Sequence, residues 1–387
     1  MGPLHGVKIV ELAGIGPAPL CAMLLADLGA TVLRVDRAAD AEVGVKRALR
    51  YSLVQRNREV VALDLKQPEA AAFVLELVQQ ADALLDPFRP GVIERLGLGP
   101  QVCLARNPRL VIGRMTGWGQ DGPMAARAGH DLNYIALSGA LHAIGRAGQP
   151  PTPPLNLVGD YGGGALFLAL GLVSAILEAR GSGQGQVVDA AMYEGAASLS
   201  TLFYGIHASG QWDPRRGHNY LDSGAPYYDC YACADGKWLS VAAIEQRFYD
   251  ELLDKLGLPA ADLPSRDERA NWPALREAIG ARIATRTRDA WDEVFKDSDA
   301  CVAPVLDFDE APQHRQARAR QAFIEVDGVQ QPAPTPRFSR TAPARPTPPR
   351  PADNANLARS LEGWLDASRI AHWRDRGLLA PVVRHPA

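Results

Sequence analysis

The 387-residue chain has no uninterrupted apolar run of the ~18 residues that a membrane-crossing helix needs. The longest candidate, Ala165–Leu177, follows the glycines Gly162–Gly163–Gly164 and ends in Glu178–Ala179–Arg180. No basic segment followed by an apolar stretch opens the chain, which predicts no signal peptide. Met1–Gly2 is followed by Gly6 where myristoylation wants Ser or Thr, and Arg384–His385–Pro386–Ala387 is not a peroxisomal address. A cytoplasmic location is therefore expected. An excess of positive charge is also missing: 41 Lys and Arg stand against 44 Asp and Glu. Without a basic patch, neither nucleic acid nor a membrane surface is expected as a partner.

Cysteine is sparse, with five residues scattered at 21, 103, 230, 233 and 301. Cys230 and Cys233 form a C-x-x-C, but they lie in Tyr227–Tyr228–Asp229–Cys230–Tyr231–Ala232–Cys233, which reads as a strand. Positions three apart on a strand point to opposite faces, so the two thiols do not share a metal there. No second Cys or His pair completes a zinc site, and no metal is expected. What the chain does have is apolar content of 47%, enough for a large core, and a length beyond one ordinary domain.

The first 120 residues alternate strand and helix. Val7–Leu12, Ala30–Asp36, Val60–Leu63, Ala83–Leu85 and Leu110–Met115 read as strands, with helices before Asp27 and over Glu69–Gln80. Strand–helix–strand order at intervals near 25 residues predicts a Rossmann-like, doubly wound parallel sheet in an α/β domain. One helix is predicted from about Gly129 to Leu141. A second runs from about Asp160 past Leu177 to Gly181–Ser182–Gly183, followed by a strand at Gln186–Asp189. Near residue 225 the pattern changes to a hairpin, Tyr227–Cys233 and Trp238–Ala243, then helices to about 297. This predicts a large domain of residues 1–225 with 330–387, and a smaller α+β domain of residues 226–329. From Gln331 to Pro351 the chain is proline-rich, which reads as linker. The last helices, near 355–377, are expected to return to the large domain or dock on a partner.

Gly14–Ile15–Gly16–Pro17–Ala18–Pro19 follows a strand and opens a helix, with Asp36 about 20 residues on, close to a dinucleotide-binding pattern. Pro19 replaces the third glycine, and Pro17 and Pro19 remove N–H donors where a pyrophosphate would need them. Arg37 adds a cation suited to a phosphate. The residues therefore favour a nucleotide with an extra phosphate, such as CoA, over nicotinamide.

Several segments in order resemble the α-methylacyl-CoA racemases of the family III CoA-transferase superfamily. They are Val10–Pro17, Arg34–Arg37, Leu63–Lys66, Arg89–Val92, Thr116–Gln120, Gly129–Tyr134, Pro154–Asp160, Gly224–Tyr228 and Ala243–Glu245, spanning roughly residues 3–340. The transferases of this superfamily carry CoA on an aspartate that matches Asp160 and usually place an aromatic residue at position 130. The racemases have histidine there, as this chain does. The resemblance therefore implies a cofactor-free isomerase acting on 2-methylacyl-CoA thioesters in lipid metabolism, with CoA transfer through an Asp160 nucleophile as the alternative. It implies an interlocked homodimer, in which Glu245 of one chain completes the other's site. It also implies that Arg37, Lys66, Arg89 and Arg95 lie near CoA phosphates, with Leu63, Asp64, Leu65, Gly129, Asp131, Leu132, Asn133 and Tyr134 contacting the substrate. Ser223 and Gln246 depart from the glycine and proline of the racemases, at the acyl end of the site, so the acyl chain stays open.

Inverting a carbon beside a thioester needs one group to remove a proton and another to return it on the opposite face. Histidine and aspartate suit this because their protonation is tunable towards neutrality. Model values leave the proton on histidine by about 2.6 units, roughly 3.5 kcal/mol, and a desolvated cleft should narrow that gap. Read alone, His130 is a structural histidine, Asp160 a helix cap and Glu245 a surface or capping acid; the ordered context makes His130 and Asp160 the catalytic candidates. Asn156 and Glu245 are then expected to position them. A helix starting near His130 would aim backbone N–H groups, that of Asp131 included, at the enolate oxygen. Gly162–Gly163–Gly164 is expected to let substrate approach the second helix closely.

Overall fold

A computed structural model describes residues 1–39 and 47–382. The chain divides into two compact units, residues 1–138 with 155–199 and 321–387, and residues 139–154 with 200–320. The sequence boundaries differ from these. Residues 139–154 and 200–225, read with the large domain, belong to the second unit, and 321–329 belong to the first. No change of composition marks those crossings, because packing rather than residue type decides which core a segment joins.

In the first unit, six strands form one parallel sheet in the order β3-β2-β1-β4-β5-β6. They are β1 (Lys8–Leu12), β2 (Thr31–Arg37), β3 (Glu59–Leu63), β4 (Ala83–Asp86), β5 (Val111–Thr116) and β6 (Val187–Ala191). Strand alternation sends Val10 and Leu12 to one face and Ile9 to the other, so each face has its own core. On the Ile9 face lie α1 (Pro17–Asp27) and α7 (Phe167–Ser182), burying Cys21, Leu25, Leu168 and Leu172. On the other face, Phe73 and Leu77 of α2 (Ala70–Val78) are buried. The short helices α3 (Val92–Arg95) and α4 (Pro100–Arg106) follow β4, and α5 (Asp131–Leu137) follows β5.

The helix expected from Gly129 to Leu141 is broken. Gly139, at φ 82°, separates α5 from α6 (Ala140–Ala143), a left-handed step that ends the first helix. The helix expected from Asp160 starts earlier, as a ten-residue π-helical segment, Leu157–Leu166, that runs into α7. Together they form one 26-residue helix that is long and apolar enough to cross a membrane by length and composition. Counting apolar runs missed it because glycines and Asp160 interrupt the runs without interrupting the helix. Leu168, Leu172, Ala175, Ile176 and Ala179 are nevertheless buried in the core beside the sheet. After β6, α8 (Met192–Leu199) packs on the π segment.

The second unit contains α6, α9 (Thr201–Ala208) and an antiparallel sheet of β7 (Tyr228–Ala232), β8 (Trp238–Ala242) and β9 (Val302–Pro304). The hairpin is where the sequence put it, turning at Gly236 with φ 76°. The third strand went unread because three residues carry no period. Helices α10 (Gln246–Leu256), α11 (Trp272–Ile283) and α12 (Arg288–Phe295) bury Leu252, Ile279 and Trp291 beside Leu239 and Val241, and α13 (Arg315–Ala319) follows. Cys230 is exposed and Cys233 buried, and among the described residues no group of His, Cys, Asp and Glu is placed to hold a metal.

The chain returns to the first unit through a hairpin, β10 (Phe323–Val326) and β11 (Val329–Pro332), then α14 (Leu357–Ser360) and α15 (Ala367–Asp375). The proline-rich stretch is more anchored than a linker. Gln331 is buried and accepts from Arg56, Thr347 exchanges hydrogen bonds with Asn57, and Asn354 bonds both backbone groups of Ala62. Trp364 and Trp373 join the α2 core, with Trp373 meeting Phe73 edge to face at 5.8 Å.

Candidate active site

Strand order in the sheet reverses between β1 and β4, and in open parallel sheets ligands bind beyond the carboxyl ends of the strands at such a point. The loops leaving β1 and β4 touch there: a Cβ on Gly14 would lie 2.4 Å from Cβ of Pro87. Arg37 ends β2, and Leu63, buried, ends β3. Asp64, Leu65 and Lys66 form the next turn, where Lys66 donates its N–H to Asp64 Oδ1 at 3.0 Å. Arg89 and Arg95 follow β4, and Arg95 folds back over Gly91. The four cations thus follow or end β2, β3 and β4 at the carboxyl ends of the strands, where a polyanion would meet them.

His130 caps α5. Its backbone N–H donates to Asn133 Oδ1 at 3.0 Å, which fixes the first turn and leaves the imidazole exposed. Asp131 is the first residue of the helix, so its N–H has no acceptor within α5. Leu132 and Asn133 are exposed. Tyr134 is buried. Its ring meets Trp118 edge to face at 4.8 Å, its hydroxyl donates to Gly129 O, and no Cβ fits at Gly117 or Gly129 beside it. Burial pushes the Tyr134 hydroxyl up to about 12, with Asp160 and Asp131 adding to the rise and Arg89 opposing it. Tyr134 therefore stays a neutral wall that holds the loop carrying His130.

Asp160 lies in the π segment. Tyr161 N–H bonds Asn156 O, a five-residue step at 3.3 Å, and the wide turn presents Asp160 in a half-buried position. Asn156 donates Nδ2 to Asp160 Oδ2 at 3.2 Å, and the Asp160 N–H donates to Asp131 Oδ2 at 2.7 Å. Burial raises the Asp160 carboxyl above the usual aspartate value. The Asn156 hydrogen bond lowers it, the Asp131 charge raises it and the His130 charge lowers it. The structure therefore brings His130, Asp131, Tyr134, Asn156 and Asp160 together, with Arg89 acting on Tyr134. Glu245 is not among them; it is an exposed residue capping α10 in the second unit.

The glycine triplet serves packing. A Cβ on Gly163 would lie 2.6 Å from Ala196 N, one on Gly164 3.0 Å from Cβ of Pro17, and one on Gly162 3.0 Å from a Leu199 methyl. These glycines let α8 and α1 close onto the π segment. Two features escaped the sequence reading. Gly16, at φ 69°, is the residue whose Cβ would lie 3.3 Å from Asp160 Oδ2, so the failed dinucleotide motif is part of this site. The second is a buried ion network at the base of α1. Glu11 pairs with Arg34 and Arg58, each at 3.3 Å, Arg34 with Asp36 at 3.1 Å, and Arg58 donates to Pro19 O at 2.8 Å. The signal was legible as charge inside otherwise apolar strands, but partners on separate strands are invisible until the sheet assembles.

Cations at the carboxyl edge of a doubly wound sheet, beside an exposed imidazole and a half-buried carboxyl, make up an acid–base site for an anionic, nucleotide-bearing substrate. The model of CoA-transferase family III matches residues 4–356, and the chain belongs to that family. It is 45% identical over 349 residues to the mouse protein named alpha-methylacyl-CoA racemase, covering 90% of this chain and 89% of that one. The human protein of the same name is 44% identical over 336 residues, 86% of each chain. Acetyl-CoA:oxalate CoA-transferase of Acetobacter aceti is 30% identical over 348 residues, covering 86% of this chain and 88% of that one. A solved CAIB/BAIF family protein from Brucella suis shares the fold, with TM-score 0.80 at 24% identity, over 94% of this chain and 100% of that one.

Proposed function

We propose that the chain is a racemase that interconverts (2R)- and (2S)-2-methylacyl-CoA thioesters. The observation that carries this is a histidine at position 130 on the same site as Asp160, whose carboxyl burial biases towards holding a proton. High identity to two racemases supports it. In one direction the Asp160 carboxylate removes the α-proton and the His130 imidazolium returns one on the opposite face. In the other direction neutral His130 removes it and protonated Asp160 returns it. One proton leaves and one arrives, through an enolate whose oxygen takes the free N–H of Asp131. Asn156 holds the Asp160 carboxyl in place. Arg37, Lys66, Arg89 and Arg95 take the CoA phosphates, and no metal or redox cofactor takes part.

The same reading makes the protein a cytoplasmic homodimer, with Glu245 supplied to the partner's site. An exposed apolar stripe on the long helix, Leu166, Leu170, Val173 and Leu177, supports a protein-covered face there.

Incubating the enzyme with a 2-methylacyl-CoA in deuterated water, with no acceptor acid, tests the reaction. We expect α-deuterium uptake and loss of optical purity. If instead CoA moves only to an added acid, through an Asp160 adduct that hydroxylamine traps, the protein is a CoA-transferase. Gly16→Ala should damage both activity and folding. A methyl there meets Asp160 Oδ2 and the backbone conformation suits only glycine. The backbone strain costs about 1–3 kcal/mol, while racemisation should fall about tenfold or more. Racemisation rates and thermal unfolding of the two proteins check this.

A further inference from the structure

The Asp131 carboxylate has no part in the proton path, yet it is the most enclosed acid of the site, 6% exposed. One oxygen, Oδ2, accepts the Asp160 N–H at 2.7 Å; the other, Oδ1, is buried with no hydrogen-bond partner. Leaving a buried carboxylate oxygen unmatched is costly. Such a group in a native fold calls for an explanation in function. Room for it is made by Gly159, where a Cβ would lie 2.7 Å from Oδ2. Two residues from different elements are thus shaped around one contact, between the first turn of α5 and the π turn that carries Asp160.

We propose that Asp131 is a positioning residue for Asp160: its carboxylate seats the π-turn backbone and keeps a fixed negative charge behind the catalytic carboxyl. This rests on the racemase reading. The groups facing Asp160 are His130 and Asp131 from α5, Asn156 from the residue before the π segment, and Tyr134, on which Arg89 also acts. His130 and Asn156 favour the ionised carboxylate; Asp131 disfavours it, in the same sense as burial. The charge of Asp131 therefore narrows the gap between the two protonation states that a two-base racemase must populate.

Asp131→Asn keeps the shape and an acceptor oxygen but removes the charge. The readout is the pH dependence of kcat/KM for α-deuterium uptake, with kcat and KM measured separately. The acid limb should move down by about one unit and kcat fall about tenfold, with KM within about twofold. A residue that only seats the backbone would leave the limb where wild type has it, and that result overturns the proposal. Gly159→Ala keeps every charge but pushes a methyl onto Oδ2. It should lower kcat about tenfold with KM little changed, and wild-type kcat in that variant would overturn the seating role. If wild type itself takes up no α-deuterium, the racemase reading fails before either variant is compared.

Discussion

His130→Ala should cut α-deuterium uptake from a 2-methylacyl-CoA by about 10²–10⁴-fold, the range a positioned general acid–base supplies, with KM within a few-fold of wild type. The imidazole is exposed, and alanine would remove its half of the capping box on α5; the other half, Asn133 on the backbone of residue 130, is kept. Folding should therefore survive, with thermal unfolding of the variant only slightly below wild type. The cations proposed to take the CoA phosphates lie at or beyond the ends of β2, β3 and β4 and are untouched, so the loss belongs in kcat. Equal uptake by variant and wild type would remove His130 from the chemistry. A matching rise in KM and loss of stability would make it structural.

Glu11→Gln should destabilise the first unit by about 3–5 kcal/mol, the cost of removing one partner from a buried ion pair. Glu11 is fully buried on β1, between Arg34 of β2 and the equally buried Arg58. Without its charge, Asp36 is left to pair with Arg34, and Arg58 keeps only carbonyl acceptors at Pro19 and Val54. Because Pro19 lies in the first turn of α1, loosening Arg58 should also unsettle Gly16 and Pro17 beside Asp160. Chemical denaturation of Glu11→Gln against the exposed Glu362→Gln checks this. The surface change should stay within about 0.5 kcal/mol of wild type, and a buried change no larger than that would show that the network contributes nothing.

Much of the fold was legible because its signals are local. The first five strands fell within a residue or two of where apolar runs between glycines put them, since each strand of a parallel sheet is buried on both faces. The hairpin at Gly236 was equally clear. Asp160 and His130 stood out only through the ordered segments around them. What could not be read depended on neighbours distant in the chain. The π turn is one case: Leu157–Leu166 has the composition of an α-helix, and only the closeness of α8 and α1 uses its glycines. The Asp131–Asp160 contact joins residues 29 apart, with nothing in their spacing to announce it.

The order of strands and helices and the anionic class of ligand follow from residue types and their periods, which act over a few positions and survive in the linear string; the candidate acid–base pair came from the resemblance of ordered segments. Which segments share a core, which glycines face a neighbouring helix, and which acid sits behind another follow from distances through space. Those are set only when the sheet has assembled and burial has given each charge its price in free energy. Asp131 shows the difference most plainly: in the chain it is the residue after His130, and in the fold it is the carboxylate that holds Asp160.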